Sequence, residues 1–209
     1  MEKQDGRVAN HEHSLIAFPT RELFHEKINC FDLIIFDRYQ HRANSRILDL
    51  LYYENIAKYV DQPGGALLIA AGDDFAGQSS LSLTPLATVL PARPTGRVLE
   101  QPFKAALSTE GLKHPVTRDL PGAPGATAGS EPTWGKWLRQ VEVRTARGRT
   151  IMSGADKQPL LVLDRKGKGR VAMLLSDHAW LWARGYDGGG PHTDLLRRLS
   201  HWLMQEPDL

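Results

Sequence analysis

Two short apolar runs constrain the fold of this chain more than any other feature. The segments 31–36 (FDLIIF) and 66–71 (ALLIAA) are nearly continuous in apolar residues, as is typical of strands that a parallel sheet buries on both faces. Between them, apolar residues recur at helical spacing from Ile47 to Val60, and Pro63-Gly64-Gly65 ends that segment. A strand, a helix and a second strand in this order form a βαβ unit. The sequence therefore predicts an α/β fold with parallel strands.

The second half of the chain predicts further strands and a closing helix. Residues 159–164 and 171–176 are apolar runs on either side of the basic stretch 165–170, whose two glycines fit a solvated hairpin turn better than a phosphate-binding patch. These two runs predict an antiparallel hairpin at one edge of the sheet. Apolar residues on one face predict a helix over 193–204. Taken together, these elements predict a flavodoxin-like three-layer sandwich with a mainly parallel sheet.

The composition excludes several classes of protein. The 209 residues carry 26 Lys and Arg against 24 Asp and Glu, a net charge of +2 without a basic stripe, so we expect no nucleic-acid partner. The longest apolar run is the six residues 66–71, too short for a transmembrane segment, and a single cysteine excludes an internal disulfide. We expect one domain over 1–209, with a flexible tail at 1–13 and a mobile loop at 121–132.

Polar residues follow three of the predicted strands and form the candidate site. Because ligands of α/β sheets bind at the carboxyl ends of the strands, we expect these side chains to gather at one edge. A crevice built this way is acidic with one arginine and one histidine, and suits a cation or a polar ligand with hydroxyl groups. The alternative is that each residue only caps a turn through its own backbone. The candidate ligand-binding residues are Asp37, Arg38, Asp73, Asp74, Asp177 and His178.

Tryptophans lie beside this candidate site. Trp180 and Trp182 alternate around one residue, so an extended segment would project both to the same side. With Trp134 and Trp137 they form either part of the core or an aromatic platform beside the crevice.

Several segments, in their order along the chain, resemble one known family. Together they resemble the class I glutamine amidotransferase-like superfamily. The segments are 31–37 (FDLIIFD), 59–72 (YVDQPGGALLIAAG), 112–117 (LKHPVT), 159–170 (PLLVLDRKGKGR) and 177–182 (DHAWLW). It is most similar to amidotransferase-like domains of large bacterial membrane-anchored proteins. The resemblance implies a catalytic cysteine at a tight turn between strand and helix, where the turn exposes the thiol and the helix lowers its pKa.

The sequence departs from the family at that turn. The residues after the strand 66–71 are Gly72, Asp73 and Asp74, without a cysteine or serine, and no His-Pro-Glu sequence follows the late strand. Cys30 precedes the first strand, so it lies at the opposite end of the sheet, where we expect a small, partly buried residue. The sequence therefore predicts no catalytic residue, no metal site and no cofactor.

Because the chain resembles this family but lacks its nucleophilic cysteine, we predict a non-catalytic module that binds a small polar ligand or a protein. We expect it to be part of a larger bacterial envelope protein. Two alternatives stay open. One is a divergent hydrolase or amidotransferase that uses Asp177 and His178 as base and orienting group. The other is sugar or metal binding, as in trehalose-utilisation-like relatives. The partner and the oligomeric state are left undetermined.

Overall fold

The computed structural model describes residues 18–41, 48–124, 131–145 and 147–206. The predicted tail at 1–13 and the central part of the predicted loop, 125–130, lie outside these ranges. Short 3₁₀ and π-helical turns connect the regular elements. The strands and helices are β1 (Leu33–Asp37), α1 (Leu50–Asp61), β2 (Ala66–Ala70), β3 (Ala92–Leu99), β4 (Ala106–Leu107), β5 (Gln140–Thr145), β6 (Arg149–Ser153), β7 (Pro159–Lys166), β8 (Gly169–Leu174), α2 (Ala179–Ala183) and α3 (His192–Met204).

A six-stranded sheet with the order β1-β2-β8-β7-β6-β4 organises the fold. β1, β2 and β8 are parallel neighbours, and β7, β6 and β4 continue the sheet in antiparallel pairs, so four of the six strands run in one direction. β3 and β5 form a separate antiparallel pair. The predicted α/β class, with its βαβ unit over β1, α1 and β2, is confirmed.

The predicted hairpin forms, but it lies in the middle of the sheet. β7 and β8 are joined by the turn Gly167-Lys168, and β8 pairs with β2 along its whole length. The hairpin cannot be an edge because β6 and β4 add to the far side of β7. The local sequence specifies both strands and their turn, whereas the order of strands depends on contacts between distant segments.

Helices cover both faces of the sheet, which makes the three layers. Leu67 and Ile69 of β2 pack with α1 on one face, while Leu68 packs with α2 and α3 on the other. β8 alternates in the same way, so the two cores share the central strands. Among the described helices, none is long and apolar enough to cross a membrane.

β1 differs from the prediction made from its apolar run. It is the edge strand of the sheet, and Ile35 is 53 % exposed although its neighbours Ile34 and Phe36 are buried. A continuous apolar run therefore does not mean burial on both faces here: Ile34 and Phe36 project into the core on one face, while Ile35 projects from the opposite face, which is left exposed at this position of the edge strand.

Candidate functional site

The structure brings four of the six predicted site residues together at the carboxyl ends of β1, β2 and β8. Arg38 follows β1, Asp73 begins the turn after β2, and Asp177 and His178 follow β8. The guanidinium of Arg38 lies 3.2 Å from a carboxylate oxygen of Asp177 and 3.8 Å from one of Asp73. The sheet topology thus produces the convergence that the strand ends predicted.

The two remaining predicted residues, Asp37 and Asp74, stand apart from these contacts. Asp37 is exposed at the end of β1 and has no ion-pair partner in the described part of the chain. Asp74 lines a narrow space beneath Arg38, and its backbone carbonyl accepts a hydrogen bond from Gly77 in the turn 73–76. For these two, only the turn interpretation has structural support.

The local backbone aims the Arg38 side chain across the neighbouring strand. Arg38 adopts a positive φ of 46°, and its N–H donates to the carbonyl of Ala70 at 2.9 Å. A Cβ at Gly72 would lie 3.2 Å from Nε of Arg38, so the missing side chain there leaves room for the arginine to cross. Gly72 therefore has a positioning role at this edge.

Sequence reasoning missed one residue of the site, Arg139. Its guanidinium makes two contacts with the carboxylate of Asp177, at 2.7 and 3.3 Å, and a longer one of 3.8 Å with Asp73. Two hydrogen bonds join the start of β5 to the segment after β8. The N–H of Val141 donates to the carbonyl of Leu175, and Ser176 Oγ donates to the carbonyl of Arg139. The alternation of 141–145 predicts a strand, but no motif indicates where that strand lies.

The resulting Arg/Asp cluster, Arg38, Asp73, Arg139 and Asp177, is charge-balanced rather than acidic with a single arginine. Asp177 is its buried centre, with a side chain only 3 % exposed, while Arg139 is 22 % exposed and Arg38 is 53 % exposed. The hydrogen bond and the charge of Asp177 raise the pKa of Arg139 above its ordinary value, although burial opposes this. Two cations and two carboxylates therefore neutralise one another, which leaves little attraction for a free metal ion.

His178 is positioned as a structural hydrogen-bond acceptor. Its Nδ1 accepts the N–H of Leu138 at 3.1 Å, so in the neutral ring the proton is on Nε2, which lies 3.9 Å from a carboxylate oxygen of Asp177. Burial lowers the pKa of His178; Asp177 opposes this, while Arg139 and Arg38 add to it. The ring is therefore neutral at pH 7, and neither nitrogen has a free lone pair with which to accept a proton from a nucleophile.

The turn after β2 and the residues around Asp177 present no exposed hydroxyl or thiol among the side chains that the structure describes. Asp73–Ala76 form a short 3₁₀ turn in which Asp73 takes part in the Arg/Asp cluster. Ser176, the nearest hydroxyl to Asp177 in sequence, is buried and donates to a backbone carbonyl. Cys30 ends the short 3₁₀ turn that precedes β1, at the opposite end of the sheet, and is exposed rather than partly buried as expected.

The space at this edge is small, and the surface around it is partly apolar. The gap beneath Arg38 and Gly72 amounts to about 10 Å³, roughly the space of one water molecule. Two exposed apolar side chains adjoin the cluster in sequence: Leu138 precedes Arg139, and Trp180 follows His178 by two residues. Among the described residues, no three His, Cys, Asp or Glu side chains converge to hold a metal ion.

Of the four tryptophans predicted to lie beside the site, one is exposed and three are buried. The segment after His178 is the helix α2, not an extended strand, so Trp180 points outward (53 % exposed) and Trp182 inward. The ring centre of Trp182 lies 4.7 Å from that of Trp137 and 5.2 Å from that of Trp134. The core interpretation therefore holds for three tryptophans and the surface interpretation for Trp180.

Comparisons with known proteins identify the fold. No protein-family model and no curated protein matches the chain. A cytoplasmic protein from Salmonella typhimurium LT2 superposes with a TM-score of 0.67 at 21 % identity, over 89 % of this chain and 76 % of its own length. A second cytoplasmic protein from Salmonella typhimurium gives 0.66 at 20 % identity, over 90 % and 76 %.

A ThuA-like protein from Bacteroides uniformis is also similar, with a TM-score of 0.52 at 12 % identity over 85 % of this chain and 71 % of its own. At these identities the likeness establishes a shared α/β fold and nothing about activity. The neighbours do include a ThuA-like protein, which agrees in broad terms with the resemblance noted in the sequence.

Proposed function

We propose that this chain is a non-catalytic domain with an amidotransferase-like fold, and that its charged sheet edge binds a protein partner. One observation carries the proposal. In the turn that would hold a catalytic cysteine in the family, there is no cysteine or serine, Asp73 contacts two arginines at 3.8 Å, and the only cysteine is at the other end of the sheet. A carboxylate in that position repels both an attacking thiolate and a developing oxyanion.

The shape of the site favours a protein over a small buried ligand. Pockets for small molecules commonly enclose about 300–1,000 Å³, whereas the gap at this edge has about 10 Å³. The exposed groups there are of the types that dominate protein interfaces, since Trp and Arg are enriched among the residues that carry binding energy. We define the edge surface as Arg38, Asp73, Leu138, Arg139 and Trp180. It suits a partner segment with a carboxylate for Arg38 beside an apolar side chain for Trp180.

The hydrolase alternative has less support. Asp177 is fully engaged by two arginines, and the neutral His178 accepts a backbone N–H through the nitrogen that a base would need. The predicted setting in a larger bacterial envelope protein also lacks support from the neighbours, two of which are described as cytoplasmic.

Panning a random peptide library against the immobilised protein tests the proposal. We expect enriched peptides that bind in the micromolar range and lose at least tenfold in affinity when Trp180→Ala or Arg38→Ala replaces the wild type. Phe18→Ala is the matched control, because Phe18 is 55 % exposed and lies outside the edge surface. Binding that survives both edge variants, or that Phe18→Ala reduces equally, would contradict the proposal.

A second measurement tests the non-catalytic part. The wild type should release no ammonia from glutamine above the rate of a heat-denatured sample. Glutamine-dependent release that Cys30→Ala or His178→Asn abolishes would refute it.

A further inference from the structure

Three arginines lie side by side at the end of the sheet opposite the edge surface. Arg149 of β6, Arg165 of β7 and Arg170 of β8 occupy neighbouring strands. Arg165 is the direct cross-strand partner of Arg170, and Arg149 is the partner of Leu163. By the alternation of the strands, all three start from the face that α3 covers. This arrangement places three positive charges in one patch.

The arginines lack sufficient carboxylates to balance them. Like charges directly opposite each other destabilise a strand pair, and neither Arg165 nor Arg170 has an ion-pair partner within the described ranges. Arg149 has only Glu110, at 3.7 Å. Asp164, which lies nearby, is already held by Arg147 at 2.7 Å. The pKa of Arg170 is lowered by burial and by the charge of Arg165, as expected for an unbalanced pair.

A cavity of about 490 Å³ opens beside these arginines. Arg149 and Arg165 line it together with His114, Gly148, Leu163, Trp202 and Asp164, whose carboxylate is neutralised by Arg147. His114 accepts the N–H of Val116 through Nδ1, so its proton is on Nε2 and is available to a ligand oxygen. The cavity therefore combines cationic and neutral donors with an apolar wall.

The aromatic wall of the cavity is fixed in place. The guanidinium of Arg170 lies 4.9 Å from the ring centre of Trp202 and also donates to the Trp202 carbonyl. The ring of His114 meets that of Trp202 edge-on, at 5.7 Å between centres. A ligand would meet a preorganised aromatic wall, whereas the exposed side chains of Arg149 and Arg165 would become ordered on binding.

We infer that this cavity binds a phosphate monoester of a small molecule. Guanidinium groups match the geometry of phosphate oxygens, and a dianion between Arg149 and Arg165 would offset the repulsion that the free protein carries. A bare phosphate would fill little of about 490 Å³, whereas an organic group beyond it can contact the small exposed parts of Trp202 and Leu163. The sequence interpretation of 165–170 as a solvated turn holds only for Gly167-Lys168, because the two arginines lie on the strands that flank it.

Thermal unfolding at constant ionic strength tests this inference, with inorganic phosphate, glycerol 3-phosphate and AMP as probes against sodium chloride. At ten times its Kd, a bound phosphate compound should raise Tm by about 3–5 °C. We expect AMP or glycerol 3-phosphate to bind more tightly than inorganic phosphate. If inorganic phosphate binds as tightly as both esters, the organic part is not recognised and the ester assignment is wrong.

Variants separate the arginine patch from a general effect of anions. Arg165→Gln should abolish the shift and, without phosphate, should leave Tm unchanged or raise it, because the repulsion with Arg170 is gone. Arg149→Gln should weaken binding at least tenfold. Arg184→Gln, which removes an exposed arginine next to α2, should behave as the wild type. A full shift in Arg165→Gln, a lower phosphate-free Tm in that variant, or no shift in the wild type would overturn the inference. None of these outcomes depends on the edge surface, which lies at the other end of the sheet.

Discussion

Replacing Asp177 by asparagine should destabilise the fold more than any other single change in the Arg/Asp cluster. The Asp177 carboxylate is 3 % exposed and receives Arg139 at 2.7 and 3.3 Å and Arg38 at 3.2 Å. Removing one partner of a buried ion pair costs about 3–5 kcal/mol. Because the arginines are 22 % and 53 % exposed and can be partly rehydrated, we expect a loss of about 2–3 kcal/mol here.

Urea unfolding measures this loss directly. With a slope of about 2–3 kcal/mol per M urea for a chain of this size, the midpoint should fall by about 1 M. Asp73→Asn is the matched control: its carboxylate is 47 % exposed and meets both arginines only at 3.8 Å, so its removal should cost about 0.5 kcal/mol. Equal losses in the two variants would refute the conclusion that Asp177 is the buried centre of the cluster.

Three further changes test other parts of the structure. Because burial lowers the pKa of His178, its contribution to stability is complete above about pH 6.5 and is lost as the pH falls below that value. His178→Asn should therefore reduce the fall in the free energy of unfolding between pH 7 and pH 5, measured by urea unfolding at each pH. A fall as steep as that of the wild type would contradict this role of His178. Gly65→Ala places a Cβ 2.0 Å from the Tyr59 ring and should cost about 1–3 kcal/mol in urea unfolding, whereas Gly77→Ala, with 3.6 Å of clearance, should not. Trp182→Ala should cost about 3–5 kcal/mol and lower Tm in a thermal scan; a loss below about 1 kcal/mol would mean that the tryptophans do not form a core.

The strands and the βαβ unit were predictable because their signals are local. The continuous runs at 31–36 and 66–71 specify strands whatever their neighbours, and turn residues specify the hairpin. The order of strands was not predictable in the same way. The hairpin lies in the centre because β6 and β4 pair beyond it, and Ile35 is exposed because its face of the sheet is left uncovered at that position of the edge strand.

The site likewise contains residues that the sequence predicts and one, Arg139, that depends on contacts between distant segments. Arg38, Asp73 and Asp177 follow strands of one sheet, so the rule for strand ends brings them together. Arg139 precedes β5, which belongs to the second sheet, and it reaches Asp177 through bonds between segments nearly forty residues apart. The prediction that Trp180 and Trp182 project to the same side was wrong because they lie in the helix α2. A helix of five residues is too short to show a helical period in the sequence.

The pairing of β2 with β8 has a consequence for how the chain acquires its structure. Ala66 lies opposite Arg170, so the parallel half of the sheet joins segments separated by about half the chain. Such distant contacts must overcome the entropy of closing a long loop before they contribute any stability. During synthesis, β1, α1 and β2 leave the ribosome long before β8, and the apolar edge of β2 stays unpaired until the last quarter of the chain appears. We therefore expect folding to be slow and the sheet to close only once β8 has been synthesised and pairs with β2.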